Sequence, residues 1–116
     1  MRYLLLMYDN ETVGAEYGEE EMPGWFTYTE EMQAAGKMLG GEALNPVETA
    51  TTVRGDGAGK ILTLDGPFAE TKEQLGGYYL IEAKDIDEAV EWARKAPHVA
   101  RGGSCEVRPI MELPDM

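Results

Sequence analysis

Three polar side chains at or near the ends of predicted strands define one candidate catalytic set: Tyr8, Asp65 and Arg108. A carboxylate such as Asp65 acts as a general acid or base when burial or a neighbouring charge moves its pKa toward neutrality. The Tyr8 hydroxyl can donate a hydrogen bond to a developing oxyanion. The Arg108 guanidinium can hold a carboxylate or an enolate through two parallel hydrogen bonds. The set therefore predicts proton transfer with stabilisation of an anion.

Each member of this set also has a purely structural interpretation. Asp65 precedes Gly-Pro, where an aspartate commonly accepts backbone N–H bonds within a turn. Arg108 and Glu106 lie two residues apart on one predicted strand, so they share a face and could form a cross-strand ion pair. A tyrosine at a strand end, such as Tyr8, is often a core residue with a solvated hydroxyl. Both interpretations stay open.

For the other residues that could take part in a reaction, the sequence favours a structural role or decides nothing. We expect His98, which follows a helix-ending proline, to be an exposed loop residue. We expect Cys105 to be a small buried apolar residue and Trp25 to belong to the core or an interface. Glu70 and Lys72 follow the Asp-Gly-Pro turn, where they either cover a pocket or are simply solvated.

Composition excludes several classes of function. The chain has 116 residues with 22 acidic and 10 basic side chains, a net charge of −12. This balance argues against binding to nucleic acids and to anionic membranes, since both need clustered Lys and Arg. One cysteine and one histidine exclude an intramolecular disulfide, a cysteine zinc cluster and a multi-histidine metal site. We therefore expect neither a metal nor a cofactor.

The N-terminal half carries most of the acidic excess. Eight acids and no Lys or Arg lie between Asp9 and Glu31. Such a run is typical of a solvated helix start, where the helix dipole favours negative charge, and alternatively of a site for a cation or a basic partner. No apolar run is long enough to span a membrane, and the short apolar start is unlike a signal peptide, so we expect a cytoplasmic protein.

The first half of the chain predicts a strand, a helix and a second strand. Arg2–Tyr8 has apolar residues on both faces, which is typical of a central strand covered on both sides. Pro23 suits the first position of a helix and Gly36 suits its end. Lys37–Leu44 then predicts a short strand weakened by two glycines. The apolar face of the helix repeats at Trp25, Tyr28, Met32 and Ala35.

The second half begins with a predicted hairpin. Thr49–Arg54 and Lys60–Leu64 flank a glycine-rich tip. Leu75–Ala83 predicts the next strand. Asp85 with Glu88 three residues later predicts a helix with a capping box, and Ser104–Met111 predicts the last strand.

This order predicts an α+β fold, the ferredoxin-like βαββαβ plan with an added β-hairpin, as one domain over residues 1–116. Helices cover one face of such a sheet and leave the other open. Because the strands are apolar on both faces, we expect a homodimer whose sheets pack face to face.

The segment DGPFAETKEQLGGYYLIEAKDIDEAVEWARKAP closely resembles the DGPF-domain branch of the YCII-related family. Met7-Tyr8, Ala34-Ala35-Gly36 and Glu106–Pro109 extend the resemblance over essentially the whole chain. The resemblance implies a dimeric α+β barrel built from ferredoxin-like protomers.

The resemblance also implies two functions. One member of the wider superfamily is a dehydrochlorinase of a chlorinated hydroxyhydroquinone, which suggests a small lyase- or isomerase-like enzyme for a polar aromatic or enolisable substrate. Members of that kind use a His–Asp pair with the histidine on the first helix, where this chain has Trp25. DGPF-type proteins are also often encoded beside extracytoplasmic-function sigma factors. The alternative is therefore a non-catalytic ligand-binding or partner module associated with such a factor.

Overall fold

The computed structural model describes residues 1–68 and 71–114, and within them every side chain except those of residues 11–20. The helices and strands, in chain order, are β1 (Arg2–Asp9), α1 (Glu11–Ala34), β2 (Met38–Ala43), β3 (Thr51–Gly55), β4 (Ile61–Asp65), β5 (Gln74–Glu82), α2 (Ile86–Arg94) and β6 (Ser104–Pro109).

The main sheet has four antiparallel strands in the order β2-β5-β1-β6. Strands β3 and β4 form a separate two-stranded hairpin. This is the ferredoxin-like strand order with the hairpin inserted between β2 and β5, so the predicted α+β class is confirmed. The strand pairs also bring the end of β1 beside the start of β6, since Tyr8 lies opposite Ser104.

Helix α1 begins earlier than its sequence signals predict. Pro23 lies inside the helix and not at its first position, so that prediction is wrong. An interior proline costs a helix about 3 kcal/mol, but the segment before it is rich in glutamate, a good helix former. The predicted end is confirmed, because Gly36 has φ +70° and its amide bonds to Gln33, while Lys37 bonds back to Met32.

Helix α2 has the predicted capping residues. The Asp85 carboxylate accepts the Glu88 amide at 2.9 Å, and the Glu88 carboxylate accepts the amide of Lys84 at 3.2 Å. These bonds satisfy backbone donors that a helix start otherwise leaves unpaired. The helix is thereby fixed at its start.

The core lies between the helices and one face of the sheet. Leu5 and Ile81 from the strands are fully buried against Met32 of α1 and Ala89 of α2. Tyr28 is also buried, its hydroxyl donates to the Trp92 carbonyl at 2.7 Å, and burial raises its pKa. We call this side of the sheet the helix side.

The opposite side of the sheet, the open side, carries both apolar and charged residues. Leu4, Leu6 and Leu80 lie there and are half-buried, since Leu4 is opposite both Leu80 and Arg108. The hairpin likewise leaves apolar residues such as Val53 and Ile61 exposed. One protomer therefore leaves substantial apolar surface without a covering layer.

Candidate functional site

A cavity of about 770 Å³ opens on the helix side, between α1, the β2–β5 edge and the segment after α2. We call it the helix-side cavity. A shallower depression of about 440 Å³ lies near Pro23, and Glu31 and Lys95 are its charged lining residues. The helix-side cavity has the size of an ordinary small-molecule site and combines aromatic walls with titratable groups.

Aromatic rings form the inner wall of this cavity. Trp25 from α1 and Tyr79 from β5 lie nearly parallel, 10° apart, with centroids separated by 6.4 Å. Tyr28 meets Tyr79 edge to face at 5.4 Å. The Tyr79 hydroxyl and the Thr29 hydroxyl share a 2.6 Å hydrogen bond at the cavity. The wall thus offers flat apolar surface with a hydroxyl pair on it.

His98 lies at this wall and is 1% exposed, so the prediction of an exposed loop residue is wrong. Its ring lies 5.2 Å from that of Trp25, tilted by 31°. The chain after α2 makes one 3-10 turn (Val99–Arg101) and returns past the imidazole at Gly103, whose missing Cβ leaves room for the ring. Long-range packing therefore overrides the loop-like local sequence.

The hydrogen bonds of His98 define its chemistry. Nε2 lies 2.8 Å from the Ser104 carbonyl oxygen. A carbonyl only accepts, so Nε2 carries a proton, and in the neutral tautomer that this bond selects the lone pair lies on Nδ1. Nδ1 is buried and forms no hydrogen bond with any residue in the described ranges. A buried acceptor without a donor costs about 1–3 kcal/mol, and a ligand could supply that donor.

Arg101 links two carboxylates beside His98. Its Nε and one terminal nitrogen donate to both oxygens of Glu21 at 2.7 and 2.8 Å, and the same terminal nitrogen contacts Asp9 at 2.5 Å. Glu21 also accepts the Trp25 indole N–H at 3.1 Å. We call Asp9, Glu21 and Arg101 the arginine cluster. All three side chains are largely buried, so the cluster holds α1, β1 and the segment after α2 together.

The pKa of the Glu21 carboxyl is lowered, chiefly by its hydrogen bonds from Arg101 and to a smaller degree by the Trp25 donor. Burial acts in the opposite direction but does not prevail. The two carboxylates likewise raise the pKa of Arg101. Glu21 and Arg101 are therefore both ionised at neutral pH.

Lowering the pH should reduce the contribution of this cluster to the free energy of unfolding. Because the folded-state pKa of Glu21 lies below its ordinary 4.5, ionised Glu21 stabilises the fold above that value, and the contribution disappears as pH falls through the lowered value. Wild type should therefore lose its stability advantage over Glu21→Gln in that acidic window, as measured by urea unfolding. With Arg101→Met in both proteins the sign of this pH dependence should reverse, because ionised Glu21 then faces Asp9 without a cation and protonation relieves the repulsion. A constant difference across the window would contradict the assignment.

The structure does not bring the sequence-predicted set together within one chain. Asp65 is exposed at the end of β4 in the hairpin. Tyr8 and Arg108 lie on the open side, about 13 Å apart along the strands, and the Tyr8 hydroxyl contacts Glu106 at 3.5 Å. None of the three lines the helix-side cavity. Their catalytic roles stay predictions, without the shared pocket that the sequence suggested.

The other candidates also have defined places. Cys105 is half-buried against the core, and burial raises its pKa to about 11, so the thiol stays protonated at neutral pH. Lys72 is exposed, and Glu70 lies outside the described residues. Residues 1–68 and 71–114 contain no group of three or more side chains that could hold a metal. None of their helices is long and apolar enough to cross a membrane.

Sequence reasoning missed His98, Arg101, Glu21 and Asp9 as one site. The available signal was the pair Gly102-Gly103, directly after Arg101 and four residues beyond His98. Two glycines there permit the φ of +107° at Gly102 and the close approach at Gly103. Glu21 on α1 lies 80 residues from Arg101 and Asp9 on β1 lies still farther along the chain, so neither partner has a local signal.

The strand order, with both helices packed on one side of the sheet, is that of a ferredoxin-like α+β domain. The YCII-related domain model matches residues 1–114, and the chain belongs to that family. It is 39% identical over 115 residues to an uncharacterized protein of Rhizobium meliloti (strain 1021), a match that covers 95% of this chain and 92% of that protein.

A solved structure gives the same fold. It is 5-chloro-2-hydroxyhydroquinone dehydrochlorinase from Burkholderia phenoliruptrix AC1100, in complex with 2,5-dihydroxybenzoquinone. The TM-score is 0.59 at 17% identity, over 96% of this chain and 94% of the other. At that identity the likeness establishes the fold alone.

Proposed function

We propose that the chain is a small lyase- or isomerase-like enzyme that acts on a polar aromatic or enolisable substrate in the helix-side cavity. The observation that carries the proposal is the buried imidazole of His98, whose Nδ1 has no partner among the described residues. A dehydrochlorinase with the same fold supports it. The aromatic wall suits a planar substrate.

The reaction begins with proton removal. Nδ1 of His98 takes a proton from a carbon next to a carbonyl, and the C–H electron pair moves toward the carbonyl oxygen. The hydroxyl pair of Tyr79 and Thr29 donates a hydrogen bond to that oxygen. In a lyase the leaving group then departs with its electron pair; in an isomerase the imidazolium returns the proton to another carbon.

The proposal is tested by deuterium exchange. With 4-hydroxyphenylacetone in D₂O as an uncharged enolisable probe, NMR should record protein-catalysed loss of the benzylic protons. His98→Gln should slow the catalysed exchange by about 100-fold or more, whereas Asp65→Asn should leave it unchanged. Loss in Asp65→Asn with retention in His98→Gln would move the chemistry to the sequence-predicted set. No catalysis above buffer would contradict the proposal.

Homodimer formation through the open side of the sheet is part of the same proposal. Half-buried Leu4, Leu6 and Leu80 form an apolar stripe on a surface that the helices leave free. Light scattering should give wild type a mass of twice the 12.8 kDa chain. Leu6→Glu should have the mass of a single chain, because a charge in a sheet–sheet interface is costly. Val53→Glu on the exposed hairpin should leave the mass unchanged. A Leu6→Glu dimer would contradict this assignment.

A second candidate is a cytoplasmic partner module for an extracytoplasmic-function sigma factor. The net charge of −12 and the exposed apolar hairpin support it, since an acidic surface attracts a basic partner. A pull-down with the neighbouring sigma factor should then recover a complex that high salt dissociates. The absence of a complex at low salt would exclude this candidate.

A further inference from the structure

The charged groups around the helix-side cavity are predominantly acidic. Asp9 and Glu21 are largely buried lining residues, and Glu42 and Glu48 are exposed lining residues that we place at its rim. Arg101 is the one Lys or Arg among the described lining residues. The cavity therefore has four carboxylates and a single guanidinium.

The guanidinium does not offset this excess for a ligand. Arg101 already holds Asp9 and Glu21 through short contacts, so two negative charges share its positive one. Neither Glu42 nor Glu48 takes part in any ion pair formed by the described residues. The potential inside a concave, low-dielectric site of this kind is negative and repels anions.

The aromatic wall adds an attraction for positive charge. Trp25 and Tyr79 line the cavity with their rings nearly parallel, and Phe26, another lining residue, is exposed. Aromatic faces attract cations by about 0.5–2 kcal/mol, and Trp does so most strongly. The rings would therefore accept a flat ligand whose cationic group lies over or beside them.

The unpartnered Nδ1 of His98 is an independent indication that a ligand belongs here. This nitrogen is a buried acceptor. An acceptor is satisfied by an N–H, an O–H or an acidified C–H, whereas a carboxylate would bring lone pairs against its lone pair. The preference of His98 for a donor agrees with the negative charge around it.

We propose that the ligand of the helix-side cavity is an aromatic compound that carries an ammonium group, and that the cavity discriminates against aromatic carboxylates. The inference rests on the proposed function, since it assigns the substrate class of the same site. A cavity that binds an anion would use an arginine to hold it, whereas Arg101 here is already bonded to two carboxylates.

Three phenols of matched shape test the discrimination: tyramine, 4-ethylphenol and 3-(4-hydroxyphenyl)propionate. Their binding is followed by NMR through the indole N–H of Trp25, which donates to Glu21 at the cavity. At about 20 mM salt the Kd of tyramine should be at least ten-fold below that of the propionate, and the ratio should shrink at about 500 mM.

Two double variants test whether the exposed carboxylates of the cavity cause the preference for a cation. Glu42→Gln with Glu48→Gln should reduce the cation-to-anion preference to within about three-fold. The control, Glu30→Gln with Glu91→Gln, removes the same charge from exposed positions outside the cavity and should preserve the preference.

Failure of the inference and failure of the proposed function give different results. Equal or tighter binding of the propionate, or a preference that the rim variants leave unchanged, would overturn the inference while His98-dependent exchange still stood. If no probe at millimolar concentration moved the Trp25 signal, both the inference and the site would be rejected.

Discussion

Replacing Arg101 with Met should lower the free energy of unfolding by about 3 kcal/mol. The substitution keeps much of the side-chain volume but leaves Asp9 and Glu21 facing each other without a cation, and both are largely buried. Removing one partner of a buried ion pair is costly because the remaining charge stays desolvated. Chemical denaturation at neutral pH measures the loss.

Two comparisons separate this cost from a general effect of losing an arginine. Arg94→Met removes an exposed pair with Glu91 and should change stability by less than about 0.5 kcal/mol. Adding Asp9→Asn and Glu21→Gln to Arg101→Met should recover most of the loss, since no unpaired charge then remains. Equal effects of Arg101→Met and Arg94→Met would show that the arginine cluster is not a structural element.

Replacing Gly103 with Ala should destabilise the protein by about 1–3 kcal/mol and displace His98. An added Cβ would lie 2.4 Å from Cδ2 of His98 and 2.9 Å from its backbone oxygen. The ring would have to leave its place between Trp25 and Ser104. Both the stability and the His98-dependent exchange of 4-hydroxyphenylacetone protons should therefore fall.

A second substitution separates the clash with the His98 ring from the clash with its backbone oxygen. In a His98→Ala background, Gly103→Ala should cost less, because only the contact with the backbone oxygen of residue 98 remains, and the difference measures the coupling between the two positions. Gly40→Ala is the matched control, because an added Cβ there meets nothing within 4 Å. Additive effects of His98→Ala and Gly103→Ala would contradict the close packing of imidazole against glycine.

Local signals predicted the elements well where local physics decides them. Asp85 and Glu88 satisfy the start of α2 through their own side chains, and Gly36 ends α1 through its own φ. Pro23 misled because its preference for a helix start is a tendency, and the residues before it favour helix strongly enough to continue through it.

The site was not predictable in the same way. Alternation along β1 and β6 places Tyr8 and Arg108 on one face, but a single sequence does not say which face the helices cover. His98 and Arg101 acquire their roles from α1 and β1, at separations of about 80 to 90 residues. A lone histidine after a helix resembles any loop residue until those partners are in place.

The central claim is that the helix-side cavity around His98 is the functional site. Since the chain has a single histidine, the ¹⁵N NMR spectrum of its imidazole can be assigned without ambiguity. We predict a proton fixed on Nε2, a bare Nδ1, and a shift of the Nδ1 resonance when 4-hydroxyphenylacetone is added. A rapidly exchanging mixture of tautomers, or a spectrum that the probe leaves unchanged, would contradict the account.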